Sequence, residues 1–441
     1  MESPWFLQAC AILDTKGGSS MKVLVVGRGG REHALCEKIS ASPRVREVYV
    51  APGNPGMMDV ATLLPYKEDD HEALVKFCHD RKIDLVIIGP EKPLVEGLTD
   101  RLAQDGICVF APSQGAARIE GSKSYAKELM GKHHIPTGKY RIFCDFDLAC
   151  DYVRNSPLPI VIKADGLAAG KGVVVAFTQA EAIGALRGML VEQSFGEASS
   201  TVIVEEFLEG EEFSLMALVQ GELVVPLDVA QDHKRAFDGD LGPNTGGMGA
   251  YSPVPQIPPT AVEEAITTIL EPTARALVQE GTPFTGVLYA GLMLTREGPK
   301  VIEFNARFGD PETQVLLPRL ESDLVEAMEK VLEGKRPKLK WSTKAMVGVV
   351  VASKGYPEAY TNGVLLPSYE NKGEGRIYYS GVDQNSKGQL LSSGGRVYLL
   401  ASLGDSLQEA KGRVYTLLER HNAATMDTMH YRTDIGHRAL S

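Results

Sequence analysis

The sequence predicts an α/β chain that opens with a doubly wound parallel sheet and continues into α+β units. Three observations carry that reading. At 441 residues the chain has the length of roughly three domains. Between residues 22 and 110, short apolar runs alternate with helical stretches, the pattern of a parallel sheet covered on both faces. Near residue 300, two longer strand patterns flank Arg296-Glu-Gly-Pro-Lys300, which marks an antiparallel hairpin.

Residues 1–20 stand apart. No basic residue precedes the apolar Trp5-Phe-Leu7, so a secretory signal is a poor match. Gly17-Gly-Ser-Ser20 is linker chemistry and Met21 opens a clean strand, so the segment reads as a leader or extension. A formal charge of −11 argues against a broad nucleic-acid footprint. Six cysteines without a C-x-x-C pattern read as free thiols of a reducing, cytoplasmic protein. No apolar run approaches the roughly 18 residues that span a bilayer.

The first strand, residues 22–26, runs into Gly27-Arg-Gly-Gly-Arg-Glu-His33 and a helix to about residue 40. Glycines at such a turn let backbone amides approach a phosphate. A dinucleotide fingerprint fails, because its third glycine falls at Glu32 and the next strand ends in Ala51-Pro-Gly-Asn54 without an acid. Arg31 adds charge, so a phosphomonoester is the expected ligand. A third strand, 83–88, runs into Gly89-Pro-Glu91, and a fourth lies near 108–110. Ligands of such sheets sit beyond the carboxyl ends of the strands. Asn54 and Glu91 are thus expected to face one crevice with Gly29 and Gly30, as donor and acceptor for a sugar.

A helix opens at Gly121-Ser-Lys123 and breaks at Ile135-Pro136. Strands 160–163 and 173–177 flank Ala164-Asp-Gly-Leu-Ala-Ala-Gly-Lys-Gly172, a loop able to wrap nucleotide phosphates between Lys163 and Lys171. It is not a Walker A loop, since no Ser or Thr follows Lys171. Lys163, an unpaired cation at the end of an apolar strand, is the sharper signal. After a helix over 179–191, the strand 201–208 is expected to turn back at Glu209. Its extended backbone and a spare carboxylate suit an adenine edge and a ribose, with Glu209 and Glu211 as solvated faces. Residues 228–253 read as a long functional loop. The helix after it has a capping box at Thr260-Ala-Val-Glu263, a bend at Pro272 and a stop before Gly281. In the hairpin, alternation places Val301, Glu303, Asn305 and Arg307 on one face and Ile302, Phe304 and Phe308 in the core. A carboxylate, an amide oxygen and a guanidinium on one face suit one Mg²⁺ beside phosphate oxygens, with phosphates and water completing its shell. Residues from 345 onward read as a smaller α+β unit with few candidate catalytic residues.

Eight motifs in order closely resemble the glycinamide ribonucleotide synthetase (phosphoribosylamine–glycine ligase) family of ATP-grasp enzymes. They are Gly29-Gly-Arg-Glu-His-Ala-Leu35, Ala51-Pro-Gly-Asn54, Gly89-Pro-Glu91, Glu120-Gly-Ser-Lys123, the 162–172 loop, Gln231-Asp-His-Lys-Arg235, Gly242-Pro-Asn-Thr-Gly-Gly-Met-Gly-Ala-Tyr251 and Glu303-Phe-Asn-Ala-Arg-Phe-Gly-Asp-Pro-Glu312. The resemblance runs from residue 21 through the tail Tyr431-Arg-Thr-Asp-Ile-Gly436. It implies an N-terminal phosphoribosylamine-binding domain (21–122), an ATP-grasp double-sheet domain (123–335) with a small mobile lid (about 140–210), and a C-terminal α+β domain (336–441). It implies ligation of glycine to 5-phosphoribosylamine by ATP, with Mg²⁺ or Mn²⁺, in a monomer or weak dimer that needs no nucleic acid or membrane. By that resemblance Lys123 and Lys163 hold ATP phosphates and Gly170, Lys171 and Gly172 cover them. Glu205, Glu206, Phe207, Leu208 and Glu212 hold the adenosine, and Glu303 and Asn305 hold the metal. Gly29, Gly30, Arg31, Asn54 and Glu91 fall on the phosphoribosylamine side. Asn244, Thr245, Gly246 and Gly247 form a substrate loop, and Asp232, Lys234 and Arg307 join Lys163 where glycine is activated.

Overall fold

The computed structural model describes residues 20–167, 172–369, 375–422 and 427–440. The leader up to residue 19 and the loop residues Gly170 and Lys171 lie outside them. β1 (Met21–Gly27) pairs in parallel with β2 (Val45–Pro52), which pairs with β3 (Thr62–Leu63). On its other side β1 pairs with β4 (Leu85–Ile88), followed by β5 (Val109–Phe110), so the order is β3-β2-β1-β4-β5. Leu24 and Val26 pack on one face of β1 and Val23 and Val25 on the other, all fully buried. That is why the run is continuous rather than alternating. α1 (Gly30–Ser40), α2 (His71–Arg81), α3 (Glu91–Val95) and α4 (Leu98–Gln104) connect the strands, and α5 (Gln114–Gly121) and α6 (Lys123–Lys132) lead out. The Ser122 side chain accepts from the Tyr125 amide and caps α6.

β6 (Tyr140–Phe143), α7 (Phe146–Arg154), β7 (Ile160–Ala164), β8 (Val173–Ala176), α8 (Gln179–Leu186) and β9 (Val202–Glu206) build a separate antiparallel sheet in the order β6-β9-β7-β8. It has its own core, including Val153, Ile162, Leu186 and Val204. The expected turn back after β9 does not form a hairpin. The chain instead enters a second, longer sheet, where β10 (Glu211–Gln220) pairs with β11 (Leu223–Asp232).

The supposed loop 228–253 is largely strand: the end of β11, then β12 (Arg235–Phe237), β13 (Leu241–Asn244) and β14 (Gly249–Ser252). Segments of three or four residues are too short to show a period, so only pairing partners reveal them. α9 (Pro259–Ala265) starts at a proline with no side-chain cap, so the Thr260 capping box does not form. The ring supplies a fixed φ where an N–H has no helical partner. A π-turn, Ile266–Leu270, precedes α10 (Glu271–Gln279) and its Pro272, easing the lost ladder bond. β15 (Thr285–Thr295) and β16 (Gly298–Asn305) form the expected hairpin. α11 (Glu312–Leu316) and α12 (Leu324–Leu332) follow.

The C-terminal residues do not make an isolated unit. β17 (Ala345–Ser353) pairs with β14. With β18 (Arg376–Tyr379) and β21 (Arg396–Gly404), it extends one sheet in the order β16-β15-β10-β11-β14-β17-β21-β18. β19 (Val382–Gln384) and β20 (Leu390–Ser392) form a ribbon beside it, and α13 (Leu407–Asn422) leads to β22 (Met429–His430), which pairs with β17. Cys36, Cys78, Cys144 and Cys150 are free thiols. No helix among the described residues is long and apolar enough to cross a membrane.

β18 docks on α1 through His33, whose Nδ1 accepts the Tyr379 amide at 2.9 Å while its ring stacks on Tyr379. Burial pushes the His33 pKa down to about 4 from 6.5. Its stabilising effect is therefore complete above pH 6.5 and is lost as pH falls toward 4, to a total of about 3 kcal/mol. Urea unfolding at pH 7 and pH 5 should show this acid loss in the wild type and a shallower one in His33→Asn, which keeps an acceptor that does not titrate. Equal slopes would remove His33 from the acid response.

Candidate active site

β16 brings Glu303 and Asn305 to the site, but a bulge sets their face. Gly291 pairs with Glu303 and Leu292 with Val301, leaving Ile302 unpaired. Val301 therefore packs with Phe304 in the core, against the simple alternation, and Glu303, Asn305 and Arg307 share the polar face. The bulge also frees the Ile302 carbonyl, which accepts from Lys163 Nζ at 2.9 Å.

Lys163 is not the unpaired cation that its strand position suggested. Its Nζ lies 3.0 Å from Glu205 Oε2, and Lys127 Nζ lies at the same distance from that oxygen. All three side chains are buried. The Glu205 carboxylate thus holds two lysines through one oxygen, while its Oε1 has no hydrogen-bond partner. Lys123 donates to the Gly166 carbonyl at 2.7 Å, anchoring the near end of the glycine loop. Burial pushes the Lys123 pKa down, and neighbouring Lys163 adds to this, while Glu303 opposes it. At the far end the Gly172 carbonyl accepts the Ala164 amide at 2.8 Å. Glu206, Phe207 and Leu208 follow at the strand end, with Phe207 6.3 Å from the Phe177 ring and Glu206 3.8 Å from Lys300.

Burial raises the Glu303 pKa, but Lys234, Lys163, Lys123 and Arg307 outweigh it, so the carboxyl stays below its usual range. Lys234 is paired with Glu212. Asp232 is the opposite case: burial, with Glu312, Glu212 and Glu303 nearby, holds its carboxyl well above the carboxylate range despite Lys234. Arg307 bridges two carboxylates, at 2.9 Å from Glu120 and 3.6 Å from Glu91. Its Nε, though buried, makes no hydrogen bond.

The crevice at the ends of β1 and β4 is filled from below by Glu32. Its carboxylate accepts the Gly29 amide at 2.6 Å and Arg31 Nε at 2.5 Å. A Cβ at Gly89 would sit 1.8 Å from that carboxylate, so only glycine fits there. A Cβ at Gly30 would lie 2.8 Å from Gln314 and Ser380. Arg31 also donates to the Phe308 carbonyl at 3.1 Å, and Arg307 links Glu91 to this edge. Both Asn54 amide hydrogens serve the carbonyls of Arg28, Tyr379 and Ser380, and its oxygen accepts the Gly56 amide, so the side chain clamps the turn.

In the 244–247 loop, Asn244 pairs with Arg235 across the β12–β13 ladder and Thr245 bonds the Lys234 carbonyl through both its amide and its hydroxyl. Arg396 reaches the Gly246 carbonyl at 2.7 Å and the Asp310 carboxylate at 3.3 Å. Gly247 adopts φ +109°, and a Cβ there would strike Pro311 at 2.5 Å.

Sequence reasoning missed Lys127, Glu120, Glu312, Tyr289 and Arg396. Glu312 is buried and accepts from Tyr289 at 2.8 Å and Ser214 at 3.1 Å. Glu120 accepts the Ala306 amide at 2.7 Å and so pins α5 to the end of β16. Lys127 carried a usable signal, since it shares the buried face of α6 with Met130, three residues on. Arg396 carried none, because its partners are contributed by two distant loops.

Comparison with known proteins agrees with this architecture. Residues 21–120, 121–313 and 346–438 match the N domain, the ATP-grasp (A) domain and the C domain of phosphoribosylglycinamide synthetase. The chain is 54% identical over 421 residues to the phosphoribosylamine–glycine ligase of Halalkalibacterium halodurans, covering 96% of this chain and 98% of that one. It is 50% identical to the enzyme of that name from Listeria monocytogenes, over 95% of this chain and all of that one. A crystal structure of phosphoribosylamine–glycine ligase from Thermotoga maritima superposes with a TM-score of 0.82 at 33% identity, covering 94% of this chain and all of that one. A biotin carboxylase domain from Hydrogenobacter thermophilus, at 16% identity and TM-score 0.72 over 93% of this chain and 91% of that one, shares the fold alone. On the matched domains and the near full-length relatives, the chain belongs to the phosphoribosylglycinamide synthetase family of ATP-grasp proteins.

Proposed function

We propose that this enzyme makes glycinamide ribonucleotide through a glycyl phosphate, with the cations gathered around Glu303 stabilising the phosphoryl transfer. It is an ATP-dependent carbon–nitrogen ligase that joins glycine to 5-phosphoribosylamine in purine biosynthesis. The observation that carries the mechanism is the set of four cations, Lys123, Lys163, Lys234 and Arg307, whose charges act on the half-buried Glu303. A carboxylate is a poor electrophile. Its oxygen attacks the γ-phosphorus, ADP leaves, and the resulting acyl phosphate accepts the amine. Phosphate then departs with one former glycine oxygen while the amine loses a proton. Lys123 and Lys163 meet the phosphates, Asp232 and Lys234 meet glycine, and Arg307 faces the acyl phosphate. Residues 21–122, with Gly29, Gly30, Arg31 and Glu91, take the phosphoribosylamine, 123–335 the nucleotide, and 336–441 buttress both.

The residues fit a divalent cation. Glu303 and Asn305 offer hard oxygens on one face of β16, the donor type that suits such an ion. Among the described residues no three His, Cys, Asp or Glu converge on a metal. Glu303 and Asn305 would hold Mg²⁺ or Mn²⁺, with phosphate and water completing its shell, and the ion would supply charge neutralisation during transfer.

Glycine carrying ¹⁸O in its carboxylate should pass label to inorganic phosphate during turnover, and only with all three substrates present. Unlabelled phosphate beside genuine amide product would overturn the glycyl phosphate route.

A further inference from the structure

The tail motif, residues 431–436, lies far in sequence from every group assigned above, yet its bonds run to the segment that carries Asp232 and Lys234. Arg432 is fully buried. Its fork is bidentate on Asp434 at 2.7 Å for both bonds, and its remaining nitrogen reaches Asp240 at 2.9 Å and the Arg235 carbonyl at 3.1 Å. Asp434 in turn accepts the Gly239 amide at 2.8 Å. Asp238 accepts the Thr433 amide at 2.8 Å and pairs with its hydroxyl. His430 meets the Ala236 carbonyl at 2.7 Å. Residues 235–240 thus have both their carboxylates and two of their backbone groups satisfied by the tail, and a third by His430 just before it.

Two of these contacts flank the catalytic segment itself. The Gly436 amide donates to His233 Nε2 at 3.1 Å, and His233 stands between Asp232 and Lys234. Arg438 approaches Glu211 at 3.4 Å, and Glu211 accepts Gln231 Nε2 at 2.7 Å, next to Asp232 on the other side. Glu211 is therefore no solvated face. Asp238 and Asp240, within the stretch that reads as a functional loop, are turned to the tail. The tail is itself fixed from behind: Tyr415 Oη donates to the Arg432 carbonyl at 2.8 Å and accepts the Ile435 amide at 3.0 Å.

We propose that residues 431–438 position the glycine-activating pair Asp232 and Lys234, with Arg432 as the central positioning residue. Asp232 is held in the long sheet by its pairing with Ala250, but β12 and β13 pair only with each other, so that sheet does not set the geometry of residues 235–240, which follow Lys234 directly. The buried guanidinium sets it instead, holding Asp240 and Asp434 in one arrangement. The phosphate lysines sit on α6 and β7, which the tail contacts described here do not reach. Glycine activation and ATP binding should therefore separate in variants. This rests on Asp232 and Lys234 serving glycine, as proposed above.

The test uses the full chain carrying Arg432→Gln, with Arg438→Gln as a second variant at a partly exposed position that should fold, and Lys234→Ala as control. Arg432→Gln is expected to lower kcat/KM for glycine by about a hundredfold, the scale of an ångström-level misplacement, and Arg438→Gln by about tenfold. The KM for ATP should stay within about twofold in both, and amide hydrogen exchange should quicken over residues 233–244. Folded variants with unchanged glycine kinetics, or equal losses for glycine and ATP, would overturn the positioning role. Lys234→Ala with normal glycine kinetics would instead overturn the site assignment, whatever the tail variants do. Should Arg432→Gln fail to fold, Arg438→Gln decides alone.

Discussion

Replacing Arg307 with alanine is expected to lower turnover by about two to three orders of magnitude and to cost the fold about 3 to 5 kcal/mol. Two separate roles produce the two effects. The guanidinium lies 2.9 Å from Glu120 and 3.6 Å from Glu91, acids brought from the first sheet's side of the molecule to the end of β16. Burial opposes its charge, but Glu120 and Glu91 outweigh it and hold its pKa above the ordinary arginine value. Without it, Glu120 loses the cation that opposes burial, and its pKa, already raised by that burial, rises further. The catalytic loss comes from removing a fixed charge beside the acyl phosphate. Steady-state ADP release together with urea unfolding separates the roles. Arg307→Lys should recover part of the stability but less of the rate, since an ammonium lacks the fork. Near wild-type turnover in folded Arg307→Ala would take Arg307 out of the reaction.

The second large effect is expected at Glu205. Glu205→Ala leaves Lys127 and Lys163 buried without a counter-charge, and the fold should lose about 3 to 5 kcal/mol. Lys163→Ala should cost less stability, because Glu205 keeps Lys127, yet it should raise the barrier for ATP use by about 1.5 to 3 kcal/mol through a lost phosphate contact. Burial has already pushed the Lys127 pKa down to about 8, with Lys163 adding to the fall and Glu205 opposing it. A lysine depressed on folding binds more protons unfolded than folded between about 8 and 10.5, so stability rises with pH across that window. Losing Glu205 should extend the rise below pH 8. Thermal melts from pH 6.5 to 10, beside ATP saturation curves, read both quantities. A Glu205→Ala protein as stable as Lys163→Ala would mean the two lysines do not depend on that carboxylate.

Much of the fold and part of the site are legible in the amino-acid order. The continuous apolar runs of residues 22–110 require a sheet buried on both faces, and the glycines at their carboxyl ends mark the crevice. Lys163 and Glu303 stand out because a charged residue on an otherwise apolar strand is uncommon. Less is legible about partners. Side-chain period assigns a face, but it does not say what lies opposite, so Lys163 reads as unpaired although Glu205 lies 3.0 Å away. Asn54 reads as a ligand donor, and nothing local shows the two carbonyls it meets from residues 325 and 326 positions later.

The sequence by itself determined the parallel sheet and the hairpin ending in Glu303 and Asn305, because these follow from local period and turn chemistry. Only the tertiary structure decided the bulge at Ile302 that turns Val301 inward. It alone decided the union of the C-terminal strands with the long sheet through β14 and β17, and the clamp of residues 431–438 on the Asp232 segment. Each of these depends on a pairing register or a buried ion pair between residues far apart in the chain. No local propensity encodes such a contact, since its energy exists only once both partners have left water together.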